Sequence, residues 1–221
     1  MNMTRSLPPE QILATESQPP IMLHRAGAAD AESVVDATLD SMDELRPFMA
    51  WSHSAENNTL AAQQKRLTAA EASWSAGEEF LWHIFIEVDT QWRFAGCIGI
   101  RARCVHPKGM DVGYWVRSEA AGQGLCTLAC QILTVVGFES VQLERRQIGC
   151  DEANIGSRRV IEKVGFCFEG RKRKELPSPT DEMRERGSLG TGNILSFALT
   201  DDDIGSLEWY PDMRARMECV Q

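Results

Sequence analysis

The segment Gly122-Gln123-Gly124 stands between a strand-like run, Asp111 to Val116, and a run in which Leu125, Leu128, Ala129, Ile132, Leu133 and Val136 recur three and four residues apart. That recurrence marks one face of a helix. With a further strand pattern at Arg145 to Cys150, the segment predicts a strand-helix-strand unit, and so a crossover between parallel strands. Glycines let backbone N–H groups point into a concavity with no Cβ in the way. A helix N-terminus adds unpaired donors and about half a positive charge. Such a turn suits an anionic phosphate.

The rest of the chain surrounds this unit with simpler patterns. Residues 1–20 hold four of the nine prolines and read as a loose tail. Ile21 to Arg25 is a short strand, and Asp30 is expected to N-cap a helix through Leu39. A second helix carries Leu60, Leu67 and Trp74 on one face and ends at Gly77. The runs 80–88, 93–102 and 110–116 read as three strands of an antiparallel meander. After the crossover come a helix from Asn154 to Val164, a strand at 165–175, a polar loop at 176–192 and a last strand at 193–200. In residues 201–221 one short helix is expected, interrupted by Pro211. The sum is an α/β chain with a mixed, mostly antiparallel sheet of seven strands and helices on both faces. The main domain is expected over 21–200, with 201–221 as a C-terminal extension.

Composition excludes several classes. The net charge of -9 argues against general nucleic-acid binding, which needs a basic face. No apolar run reaches the ~18 residues of a membrane span, and the first 20 residues lack the apolar core of a signal peptide. Seven cysteines without CxxC spacing favour reduced thiols in a cytoplasmic setting. Cys104 and His106 have no second pair at zinc spacing, so no metal site is expected.

A second cluster gives the glycine turn its meaning. Asn154-x-x-Ser157-x-x-Val160-x-Glu162-Lys163-x-Gly165-Phe166 resembles the second cofactor-contacting helix of the GNAT acetyltransferases. DVGYWV followed by Gly-Gln-Gly resembles that family's strand and pyrophosphate loop. LRPFMAW, from Leu45 to Trp51, is similar to a segment of the RimJ/RimL-type ribosomal-protein N-terminal acetyltransferases. The resemblance covers about residues 20 to 200. It implies the GNAT fold, acetyl-coenzyme A as co-substrate and a primary amine as acceptor. It also implies a central strand that bulges and splays from its neighbour. Backbone groups from Ala121 through Gly122, Gln123, Gly124, Leu125 and Cys126 are then expected to cradle the pyrophosphate. Trp115, Val116 and Arg117 are expected to pair with the pantetheine, and a donor near Val112 to Tyr114 to polarise the thioester carbonyl. Two positions depart from the family pattern: Glu119 and Ala121 stand where its motif has other residues. Arg117, Arg158 and Arg159 are the candidates to supply the missing positive charge.

The resemblance also suggests roles at the reacting centre. A tyrosine acid common in the family is vacant here, since its position holds Ile161. Ser157 matches the serine assigned that role in RimL-like enzymes. Asn154 is either a pantetheine contact or a helix N-cap. For the base, Asp111 and Glu175 compete, and His53 is a third histidine-based option. Phe48 and Trp51 are expected to wall an acceptor site between LRPFMAWSH and the 176–192 loop. Tyr114 and Trp115 read as core or cleft wall. A backbone α-amine, with a pKa near 8, is already partly neutral at pH 7, whereas a lysine amine near 10.4 is not. Direct transfer to a peptide or protein N-terminus is therefore the leading expectation. A small-amine acceptor and a non-catalytic acyl-coenzyme A sensor stay open, as does a homodimer through an edge strand or the C-terminal segment.

Overall fold

The computed structural model describes residues 6–103 and 105–220. In chain order they form β1 (Gln11–Ala14), β2 (Ile21–Arg25), α1 (Ala31–Asp40), α2 (Met42–Leu45), α3 (Leu60–Ser75), β3 (Glu79–Val88), β4 (Gln91–Arg101) and β5 (Gly109–Val116). Then follow α4 (Leu125–Glu139), β6 (Arg145–Asp151), α5 (Ile155–Val164), β7 (Cys167–Lys172), α6 (Asp181–Glu185), β8 (Ile194–Thr200), α7 (Tyr210–Arg216) and β9 (Glu218–Val220). The strands make one sheet ordered β7-β8-β6-β5-β4-β3-β2-β1-β9. Only β5 and β6 run parallel among the described pairs, which is the crossover that the glycine turn implied.

The unbroken apolar runs of the central strands follow from burial on both faces. Phe80, Trp82 and Ile84 of β3 enter the larger core, with Met110 and Val112 of β5 and the inner faces of α4 and α5. Leu81 of β3, with Phe94 and Cys97 of β4, packs under Val34 of α1 and Leu67 and Ala70 of α3. Arg146 is fully buried beneath α4, where it donates to Thr134 Oγ1 and lies 5.8 Å from the Phe166 ring centre. Burial lowers its pKa to about 10.

The termini differ from expectation. Residues 11–14 are strand β1 rather than loose tail: Ile12 and Ala14 are buried, and the segment pairs with both β2 and β9. Four residues between prolines are too few for their alternation to stand out from a tail. With β9 the sheet therefore has nine strands instead of seven. Pro211 opens α7 rather than interrupting a helix. A first-turn N–H has no intrahelical acceptor, so proline loses nothing there.

Asp30 precedes α1 as expected but does not cap it with its side chain. Its carboxylate lies 2.7 Å from Nδ1 of His83, which is fully buried. Burial opposes charge on His83, but the nearby Cys97 sulfur and the Asp30 carboxylate outweigh it and raise the pKa to about 9. A raised pKa contributes stability that is complete below the unfolded value of about 6.5 and is lost as pH climbs through the folded value. The melting temperature should therefore fall by a few degrees between about pH 6.5 and pH 9. In Asp30→Asn that slope should flatten. Parallel melting profiles for the two proteins would contradict the assignment.

Candidate active site

The site begins where two strands part. β5 and β6 pair from Gly109/Arg145 only as far as Val112/Ile148. Beyond that point β6 continues with β8 to Asp151, while β5 continues with β4 to Val116. Gly113 to Val116 thus present a strand edge in the middle of the sheet. The expected bulge is not in β5, whose register with β4 runs unshifted from Asp111 to Val116. The irregularity falls between β3 and β4, at Ile84/Phe85. At Gly96, next to it, a Cβ would sit 2.2 Å from the Trp115 carbonyl oxygen, so only glycine allows the strands to approach there.

The chain leaves this edge for the glycine turn. Arg117 N–H extends the ladder to the Ala95 carbonyl, 2.9 Å away, and Ser118 N–H donates to Ser41 Oγ at 3.0 Å. Ala121 N–H is already spent on the Ser118 carbonyl, so the open donors start one residue later than expected. Gly122 and Gly124 take φ of +76° and +81°, with open space where a Cβ would stand. The backbone conformation is what demands glycine here. Gly124 is the N-cap of α4 and has no side-chain cap, so among the described residues the first-turn N–H groups have no capping partner. Gln123 folds back to donate to the Glu119 carbonyl at 2.7 Å. Leu125 is buried, and burial pushes the Cys126 thiol up to about 12. Both side chains are turned inward, leaving their backbones to the turn.

The unusual Glu119 is neutralised locally. Its carboxylate lies 3.1 Å from Arg117 Nε, and Asp40 lies 3.1 Å from Arg117 Nη2. Arg117 is therefore tied down rather than spare. Arg158 pairs with Glu162 one turn on, at 2.7 Å. Arg159 makes no ion pair among the described residues.

Across the gap, Asn154 caps α5, its Oδ1 accepting from Ser157 N–H at 3.0 Å. The Ser157 hydroxyl is 2.9 Å from the Tyr114 hydroxyl. Burial pushes the Cys150 thiol, beside Ser157, up to about 11. Ile161 is fully buried in the core. Tyr114 is the residue whose part in the site the sequence reading missed. The alternation of β5 was the available signal, since it sends Tyr114 and Val112 toward α4 and α5 and Asp111, Gly113 and Trp115 the other way.

The proposed bases lie apart from Ser157. Asp111 is on the opposite face of β5, at its paired end. Glu175 sits in the exposed turn after β7, its carboxylate 3.7 Å from Lys172 Nζ. His53 Nε2 is 2.9 Å from the Arg46 carbonyl, which accepts from it, and Nδ1 is buried with no hydrogen-bond partner among the described residues.

The expected acceptor walls do meet. Trp51 stacks at an angle on Trp115, ring centres 6.1 Å apart, and Phe48 is half-buried in the same segment. Leu189 N–H donates to the Pro47 carbonyl at 2.9 Å, and Arg186 to the His53 carbonyl at 3.1 Å. Asp151 anchors the far end of the loop by accepting from Thr191 N–H at 2.7 Å and Gly192 N–H at 3.0 Å, and it also accepts from Ala153 N–H at 3.0 Å. Contacts this distant in sequence leave no local pattern. Among the described residues no His, Cys, Asp and Glu cluster is placed to hold a metal, and no helix is long and apolar enough to cross a membrane. Cys104 lies outside the described residues.

The model of the acetyltransferase (GNAT) domain matches residues 21–167, and the chain belongs to that family. YdaF of Bacillus subtilis (strain 168), named for ribosomal N-acetylation, is 39% identical over 66 residues, 30% of this chain and 36% of YdaF. The chain thus spans about a third of that relative's length. YjcK of the same organism, named as an N-acetyltransferase, is 28% identical over 66% of this chain and 80% of its own. Mycobacterium smegmatis RimJ, solved with CoA-disulfide, superposes with a TM-score of 0.74 at 21% identity, covering 98% of this chain and 100% of its own. RimL, a ribosomal L7/L12 alpha-N-protein acetyltransferase solved with coenzyme A, gives 0.71 at 18% identity, covering 86% and 98%.

A valine at Gly122 would have to hold a positive φ and would add bulk beside the unpaired donors. Gly122→Val should weaken coenzyme A binding about tenfold, near 1.4 kcal/mol, measured by calorimetry. Unaltered affinity would place the anion elsewhere.

Proposed function

We propose that this protein transfers the acetyl group of acetyl-coenzyme A to the N-terminal α-amine of a peptide or protein, by direct attack in a ternary complex. The parting of β5 from β6 beside the uncapped N-terminus of α4 carries the proposal. The pyrophosphate takes the N–H groups from Gly122 to Cys126, where the positive end of the helix dipole favours it. Pantetheine adds along the free edge of β5 from Tyr114 to Val116, as an extra strand does, since the Arg117 N–H is already taken by the Ala95 carbonyl. Arg159, which makes no ion pair among the described residues, is available to a phosphate.

This places the thioester between the two faces of β5. The amine enters from the side of Trp51 and Trp115, and Ser157 stands on the other side. An α-amine near pKa 8 is already about one tenth neutral at pH 7, so it needs only a weak base. Asp111 shares the acceptor-side face of β5, and we assign it as the proton's destination, reached through water. Glu175 is held by Lys172 and is the weaker candidate. The acceptor wall of Phe48 and Trp51 recognises the chain beyond the amine. RimJ and RimL have the same fold, and the description of RimL as a ribosomal L7/L12 alpha-N-protein acetyltransferase supports a protein acceptor.

Thiol release from acetyl-coenzyme A with a panel of amines tests this. Peptides with a free N-terminus should be acetylated, while N-blocked peptides and small polyamines should not. Polyamine turnover alone would make it a small-amine enzyme. Coenzyme-dependent thermal stabilisation without turnover on any amine would make it an acyl-coenzyme A-binding protein instead.

A further inference from the structure

We propose that Tyr114 is a positioning residue for the transfer step, its hydroxyl holding the Ser157 hydroxyl so that the serine O–H points at the departing sulfur of coenzyme A. This rests on the reading that the thioester lies beside Ser157. Tyr114 stands on the stretch of β5 that has left β6, on the face packed against the larger core. Its oxygen is 2.9 Å from Ser157 Oγ and 3.3 Å from the Ser157 carbonyl oxygen. Asn154 holds the Ser157 N–H at the same time. Both ends of the serine are therefore fixed by neighbours. A lone serine hydroxyl rotates to suit any acceptor. A phenol that donates to Oγ leaves the serine proton as the free donor of the pair.

The phenol is neutral throughout the working range. Burial first, then the nearby Cys130 sulfur, pushes its pKa well above the ordinary value, although its hydrogen bond with Ser157 works the other way. The other titratable groups around it are thiols, Cys126 and Cys130 of α4 and Cys150 of β6, all raised by burial. A coenzyme A thiolate, whose thiol has a pKa near 8.5, does not take a proton outright from such a phenol. The pair acts by hydrogen bonding instead. The amine nitrogen attacks the carbonyl carbon, the C–N bond forms, and the C–S bond breaks with its electron pair going to sulfur. The extra proton on nitrogen passes to water. The thiolate accepts the Ser157 O–H while it is in the site and is protonated by solvent on release. A preset donor where charge develops needs no reorganisation during the step. The donor role vacant at Ile161 thus falls to Ser157 of the same helix, with Tyr114 of the strand setting its direction.

The test compares wild type with Tyr114→Phe, Ser157→Ala and the double variant. Tyr114→Phe should leave coenzyme A affinity within about twofold and cut kcat about tenfold. The double variant should be no slower than Ser157→Ala alone, because Tyr114 acts only through the serine. A merely structural tyrosine would give additive losses. A second measurement needs no turnover: the bound coenzyme A thiol is titrated by its ultraviolet thiolate absorbance, with desulfo-coenzyme A as the blank. Its pKa should rise by about one unit in Tyr114→Phe and equally in Ser157→Ala. Additive kinetics, or a titration indifferent to Tyr114→Phe, would overturn the proposal. Absent amine turnover in wild type would sink the transfer reading alone, and the titration would still decide the role of Tyr114.

Discussion

The structure depends on a competition for β6. From Arg145 to Ile148 this strand serves β5 on one side and β8 on the other. From Gly149 to Asp151 it keeps only β8, and Asp151 secures that choice by binding the backbone at Thr191 and Gly192. β5 keeps β4 over the same stretch, with Gly96 admitting the close approach of Trp115. An unpaired strand edge inside a sheet is costly unless something pairs with it. Here the edge leads directly into an uncapped helix N-terminus. In the proposed reading, an extended ligand with an anionic end pairs with both the strand edge and the first-turn N–H groups.

Charge follows the same economy. The chain carries a net charge of -9, and its turn contains an acidic residue where an anion is expected. Arg117 takes Glu119 and Asp40 together, which in the proposed reading leaves the backbone and the helix dipole to face the anion. The Tyr114 and Ser157 hydroxyls lie on one side of β5 and Asp111 on the other, so the groups proposed to act are divided between the two faces of one strand. Alternation of side chains along β5 is the physical source of that division.

Much of this was legible in the sequence. The glycine turn, the crossover and the Asn154 cap follow from local patterns, while the meeting of LRPFMAWSH with the 176–192 loop was expected only from the family resemblance. Strand β1 was not legible, because four residues carry too little periodicity and one of its two partners, β9, lies at the other end of the chain. Asp30 looked like a cap, and a buried histidine 53 residues on claimed it instead. Tyr114 looked like core, and its hydroxyl's partner is 43 residues away. Long-range polar pairs of this kind depend on the fold being complete, so no window of sequence contains them.

Backbone amide exchange with and without acetyl-coenzyme A tests the central claim most directly, since the claim concerns which N–H groups are open. New protection confined to the free edge of β5 and to the turn from Gly122 through Cys126 is the expected result. Protection that spares both segments, or that appears only at another surface, would contradict the assignment of the gap as the coenzyme site.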